Sequence, residues 1–295
     1  MDEHDWLAEQ FEAERPRLRT VAYRMLGSLA EAEDAVQETW LHLSRSDTSI
    51  VLNLGGWLTT VVARVCLNML HAREARREES LEASVPAPIM REPGGIDPEQ
   101  EALLADSVGL ALLVVLDTLA PAERLAFVLH DIFSVPFDEI ARVVERSPTA
   151  ARQLASRARR RVRGAPKVAD ADLAASREVV DAFLAASREG SFDALLAVLD
   201  PDVVFRADRA AVSRGAAREL RGAQAVARAA RHYLLGRTQL AQPVLVDGAV
   251  GIVVAPRGRL LLLLRLTIRG GKIAEIEAVA DPAHLHQVRL AVLDD

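Results

Sequence analysis

Apolar residues recur at helical spacing through most of the first 164 residues, and shorter β-like runs appear only after residue 200. Residues 17–44 (RLRTVAYRMLGSLAEAEDAVQETWLHLS) predict two helices. In the second, Glu31, Asp34 and Glu38 share one face while Val36, Trp40 and Leu43 share another. Residues 57–77 (WLTTVVARVCLNMLHAREARR) predict a long amphipathic helix with Trp57, Val61, Val65, Asn68 and Ala72 on one stripe. Its polar side turns basic toward the C-terminal end, where Arg73, Arg76 and Arg77 also suit the helix dipole. Residues 81–101 are rich in Pro, Gly and Glu and lack periodicity, which is linker chemistry.

The stretch Pro136 to Arg163 predicts a helix, a tight turn and a second helix. Ser147 suits the N-cap, and Pro148 suits the first helical position, where its missing N–H costs nothing. Ala151, Leu154, Ala158 and Val162 then form an apolar seam. Thr149, Arg152, Gln153, Ser156 and Arg160 fall elsewhere, on a face rich in hydrogen-bonding groups. A basic second helix of this kind suits the major groove, and a solvated surface helix is the competing reading.

From Asp172 the pattern is helical to about Leu199, then β-like over 203–206, 243–247, 249–255, 259–268 and 272–280. Asp247-Gly248, Pro256-Arg257-Gly258 and Gly270-Gly271 mark turns between these runs. Helices followed by a meander predict an α+β domain, with helices on one face of an antiparallel sheet.

Composition narrows the class. Half of the residues are hydrophobic, but few are aromatic, so the cores are aliphatic. The net charge is −6, unusual for a protein that binds free DNA, yet the basic residues are clustered. Such a chain is expected to bind DNA best when a larger partner holds it on the duplex. Cys66, the one cysteine, lies in an apolar run and is expected to be a buried thiol. No metal site or cofactor is expected. The acidic start lacks the apolar core of a signal peptide, and no run is long enough to span a bilayer. A cytoplasmic protein without membrane contact is the expectation.

Taken together, these segments resemble the bacterial extracytoplasmic-function RNA polymerase sigma factors. LRTVAYRMLGSLAEAEDAVQETWLHL resembles the part of region 2 that binds core RNA polymerase. GGWLTTVVARVCLNMLHAREARR resembles the part that melts and reads the −10 promoter element. LDTLAPAERLAFVLHDIFSVPFDEIARVVERSPTAARQLASRARRRVR resembles region 4, which reads the −35 element. The resemblance implies polymerase contacts at Asp34, Gln37 and Glu38. It implies −10 contacts at Trp57, Thr60, Arg64, Asn68, Arg73 and Arg76. It implies −35 contacts at Thr149, Arg152, Gln153, Ser156, Arg157 and Arg160. Arg and Gln suit bidentate contacts with guanine and adenine edges, while Arg157, Arg159 and Arg163 suit phosphates. Many members carry Asp and Asn where this chain has Asn68 and Val65.

Residues 172–290 resemble the cone-shaped fold of nuclear transport factor 2 and the SnoaL-like cyclases, an extension found on one type of these sigma factors. It implies an intramolecular regulator, with Asp281, Pro282 and Leu285 of DPAHL as regulatory contacts and an apolar pocket that is a candidate for a small-molecule ligand. The linker holds Ser84-Val85-Pro86-Ala87-Pro88 where relatives of this type often carry Trp-Leu-Pro.

The resulting expectation is a multidomain protein. Residues 1–80 form an all-α region 2, 81–101 a linker, and 102–165 an all-α region 4 with the helix-turn-helix. A short linker at 166–171 precedes a C-terminal α+β SnoaL-like domain at 172–295. Its partners are core RNA polymerase and promoter DNA, and the free protein is expected to be a monomer. Two alternatives compete: a ligand-responsive helix-turn-helix regulator that works without polymerase, and a cone-fold isomerase or cyclase. In the second, Asp208 is the candidate base, with His232, Tyr233 and Glu277 nearby. No spacing singles out a catalytic set, so an enzyme is not expected. His284 and His286 are expected to alternate along a strand, which is poor geometry for one metal.

Overall fold

The computed structural model describes residues 3–46, 51, 53–81, 109–164, 170–212, 217–234, 240–256, 260–285 and 287–293. The expected linker at 81–101 lies outside them, apart from Leu81. The described residues form two compact units. One comprises the described residues up to Leu81 together with Leu119–Arg159, and the other comprises Gly109–Thr118 together with the described residues from Arg160 onward.

In the first unit, α1 (Glu3–Leu26), α2 (Leu29–Leu43) and α3 (Leu54–Leu81) pack on one another. Ser28 caps α2 by accepting the Glu31 N–H, and Asn53 does the same for Gly56 at the start of α3. Their shared core is aliphatic and includes Leu18, Val21, Met25, Val36, Leu58, Val62 and Cys66. Burial pushes the Cys66 thiol far above the usual range, so it is an inert packing group. The buried stripe of α3 differs from the expected one: it runs through Leu58, Val62, Val65 and Cys66, while Asn68 and Ala72 are exposed.

Two short helices, α5 (Pro121–Phe127) and α6 (Phe137–Val143), pack against α3. A single π turn at Val128–Ile132 lies between them, packed on α1. Arg124 is almost wholly buried, and its Nε donates to the Arg24 carbonyl at 3.3 Å. Helix α7 (Pro148–Arg163) follows a tight turn after α6.

The second unit begins in sequence with α4 (Leu110–Asp117). Its Leu113, Val114, Val115 and Leu116 are all buried, as expected of a helix that is apolar all round. Helix α4 packs on strands β3 (Ala241–Val246) and β7 (Leu290–Ala291). The sheet is completed by β1 (Leu199–Ala207), β2 (Glu219–Arg221), β4 (Ala249–Val254), β5 (Leu262–Arg269) and β6 (Lys272–Val279), in the order β2-β1-β6-β5-β4-β3-β7. Asp247-Gly248 and Gly270-Gly271 close two-residue hairpins with both central residues at positive φ. The sheet is not wholly antiparallel as expected: β1 runs parallel to β6, because the chain passes through β2, α10 (Ala223–Leu234), β3, β4 and β5 before returning to β1's side.

Helices α8 (Asp170–Glu189), α9 (Phe192–Val198) and α10 pack against the sheet around Phe183, Leu195, Val203, Leu264 and Ile276. Polar residues of the strands carry cross-strand ion pairs instead: Arg206 with Glu219 and Glu275, and Arg265 with Glu277 and Asp247. Along β5 and β6 the residues that carry these ion pairs are more exposed than the core positions beside them.

Candidate nucleic-acid and polymerase interface

Helix α7, the candidate recognition helix, is built by local chemistry. Glu145 stands at φ 54 in the turn after α6, and the Arg146 N–H donates to the Ala141 carbonyl. This is the Schellman geometry in which glycine is usual. Ser147 then accepts the Ala150 N–H at 3.2 Å, so the turn ends one helix and begins the next within four residues. Ala151, Leu154, Ala155, Ala158 and Val162 of α7 are buried. Thr149, Arg152, Gln153, Ser156, Arg157 and Arg160 are all exposed.

Two arginines of α7 are tied back to their own unit. Arg157 Nε lies 2.7 Å from Glu123, and Arg159 Nε lies 2.6 Å from Asp131. The Arg152 guanidinium lies over the Phe137 ring, 5.5 Å from its centre, which braces α7 against α6. Gln153, Ser156 and Thr149 are thereby presented on a helix fixed from behind.

On α2, Asp34, Gln37 and Glu38 are exposed together. Gln37 also lines a groove of about 410 Å3 with Phe11, Val36 and Trp40. Phe11 and Trp40 meet at 5.1 Å between ring centres. Glu31 does not join the acidic face expected of it, because it is 2.5 Å from Arg73 of α3. Glu33 pairs with Arg15 and Arg19; Arg15 lies beside Glu12 as well, which holds its guanidinium pKa above the ordinary value.

The residues expected at the −10 element are spread along α3. Trp57 and Thr60 are half-buried, and the Thr60 hydroxyl donates to the Trp57 carbonyl. Asn68 is exposed one turn beyond Arg64. Arg64 reaches the Arg142 carbonyl and Glu145 of the helix-turn-helix, both within the same unit. Arg73 donates to the Leu26 carbonyl and to Glu31, which makes it a bracket between α3 and the α1–α2 turn. Arg76 donates to the Ala72 carbonyl.

Of the candidate catalytic groups of the C-terminal domain, the two whose side chains are described, Asp208 and Glu277, are each held by other partners. Both oxygens of Asp208 accept backbone N–H groups: Oδ1 from Ala210 and Ala211, and Oδ2 from Ala280 and Asp281, all at 2.7–2.9 Å. Asp208 is thus an anchor rather than a base, and Glu277 is exposed and paired with Arg265. The side chains of His232 and Tyr233 lie outside the described residues. DPAHL forms a short helix, α11 (Pro282–Leu285), not a strand; Asp281 starts it by accepting the Ala283 and His284 N–H groups. His284 and Pro282 are exposed, Leu285 and Asp281 are half-buried, and His286 lies outside the described residues. Among the described residues no His, Cys, Asp and Glu cluster has the makings of a metal site.

Residues 10–77 match the family model for Sigma-70 region 2, and residues 109–162 match that for Sigma-70 region 4. The chain is 38% identical over 289 residues to the ECF RNA polymerase sigma factor SigJ of Mycobacterium tuberculosis, covering 92% of this chain and 91% of that protein. The chain belongs to the ECF RNA polymerase sigma factors. A second relative of this sigma factor is the probable ECF sigma factor SigI of the same species, 35% identical and covered over 98% of both chains. The crystal structure of SigJ covers 94% of this sigma factor at 34% identity, with a TM-score of 0.47. These relatives are sigma factors rather than enzymes. No helix of the described residues is long and apolar enough to cross a membrane.

Proposed function

We propose that this alternative sigma factor directs core RNA polymerase to a two-element promoter and carries its own regulator in its C-terminal domain. Region 2 spans residues 1–80 and docks on polymerase through Asp34, Gln37 and Glu38. Trp57, Thr60, Arg64 and Asn68 engage the opened −10 strand, where stacking and phosphate contact both contribute. Region 4 reads the −35 element through Thr149, Arg152, Gln153, Ser156 and Arg160. Arg157 and the basic end of α3, including Arg73 and Arg76, serve phosphates or packing.

The observation that carries the reading is α7 itself. A helix with five buried aliphatic positions on one side and eight exposed polar positions elsewhere has the form of a groove-reading helix. An acidic protein needs polymerase to hold that helix on DNA, and α2 offers three exposed polar groups for the purpose. The C-terminal domain, including Asp281, Pro282 and Leu285, biases the arrangement of the two sigma regions. A small molecule bound there would act only by preferring one arrangement.

The test is co-elution of the full-length protein with core polymerase, with run-off transcription then measured from promoters selected by the holoenzyme. Wild type co-elutes, and the triple variant Asp34→Ala, Gln37→Ala, Glu38→Ala elutes separately while keeping its melting temperature. A wild-type protein that does not co-elute, yet binds palindromic DNA alone, overturns the reading in favour of a polymerase-independent regulator.

A further inference from the structure

Residues 280–285 and 287–293 are fastened to the sheet at two aspartates. Asp208 stands just past the end of β1, and its Oδ2 accepts the N–H groups of Ala280 and Asp281, both at 2.8 Å. Asp247 stands in the β3–β4 turn; its Oδ1 accepts the Arg289 N–H at 3.2 Å, and its own N–H donates to the Arg289 carbonyl at 2.9 Å. Between these two points the chain turns through α11. After them Leu290 and Ala291 pair with Val246 and Leu245 as β7.

Past β7 the chain leaves the sheet ladder and bonds to a helix. The Val292 N–H donates at 2.8 Å to the carbonyl of Val162, in the last turn of α7. The final four carbonyls of a helix have no partner within it, so this bond supplies one of the missing caps. Two residues beyond Val162, Gly164 sits at φ 64, and a Cβ there would lie 2.4 Å from the Ala291 Cβ. The end of the helix and the tail are therefore fitted residue to residue. Helix α4, inside the match to region 4, packs on the same strands β3 and β7. All of these groups lie in one compact unit.

We propose that residues 288–293 form a splint for the recognition helix. Val292 caps the end of α7, Ala291 seats against Gly164, and Asp208 and Asp247 are positioning residues that hold the splint in register. The −35-reading element thus extends beyond region 4 to the last strand of the C-terminal domain. This rests on the reading of α7 as the −35 helix.

The test uses full-length protein with Val292→Pro. The substitution removes the capping N–H but leaves the Leu290–Ala291 ladder, whose extended backbone a succeeding proline favours. Two quantities are read: backbone hydrogen exchange over residues 160–164, and holoenzyme affinity for a promoter with an intact against a scrambled −35 element. The splint predicts exchange faster by about tenfold in that turn and a preference for the intact element reduced roughly fivefold or more. Gly164→Ala should do the same by collision with Ala291, and adding Ala291→Gly should restore part of both readouts; a general folding defect would not be rescued. Unchanged exchange in Val292→Pro overturns the splint. Faster exchange with unchanged −35 preference overturns its positioning role. A wild-type holoenzyme indifferent to the −35 element would instead overturn the reading of α7, while the exchange data would still judge the cap.

Discussion

Helices α3 and α7 both carry several arginines, yet they spend them differently. In α3, Arg73 is bracketed between the Leu26 carbonyl and Glu31, Arg76 turns to its own backbone, and Arg64 reaches across to the turn of the helix-turn-helix. In α7, Arg157 and Arg159 take up the acids behind the helix, and Arg152, Gln153, Ser156 and Arg160 remain on an exposed face. The contrast shows that a count of arginines does not locate a nucleic-acid surface. The deciding factor is whether an acid or a backbone carbonyl stands within reach. Helix α3 is packed by α1, α2, α5 and α6, so such partners surround it.

That contrast can be broken most forcefully by Leu58→Ala. Leu58 is wholly buried at the head of α3, and its truncation should cost about 2–5 kcal/mol, read as a lower melting temperature of the whole protein. A stability loss below about 1 kcal/mol would mean that α3 is not the packing axis of its unit. Next in size is Gln153→Ala, which should remove about 1–3 kcal/mol of base discrimination at one −35 position with the melting temperature unchanged. Discrimination that survives the substitution would shift the readout to Arg152 and Arg160. Smallest is Glu145→Gly. It relieves the left-handed strain of a non-glycine residue but loses an exposed ion pair with Arg64, so thermal unfolding should show a gain of at most about 1 kcal/mol. A fall in stability would mean that the Arg64 contact outweighs the strain.

The two helices also differ in how far they could be read from sequence. Helix α7 was legible because its apolar seam is narrow and its start is written in Ser147 and Pro148. In α3 the buried surface is wide, and the stripe through Asn68 and Ala72 was one of several that fit the period. The two hairpins at Asp247-Gly248 and Gly270-Gly271 were legible for the same reason as Ser147: short-range chemistry dictates them. Strands β2 and β7 leave no mark in the sequence, because three and two residues carry no alternation. The parallel pairing of β1 with β6 joins residues about 70 apart, and local pattern holds no trace of it. Asp208 illustrates the same limit at a single side chain. An aspartate after a strand reads equally as a base or an anchor, and the pair of backbone N–H groups 72 and 73 residues away decides between them.

Helix α4 brings time into the picture. Its sequence leaves the ribosome about 170 residues before β7, the strand against which it packs. At roughly 5–20 residues per second, region 2 has on the order of ten to thirty seconds to fold while that apolar helix waits for its sheet. The chain is synthesised from one end, so β7, against which α4 packs, emerges after the segments matched to regions 2 and 4 are already made.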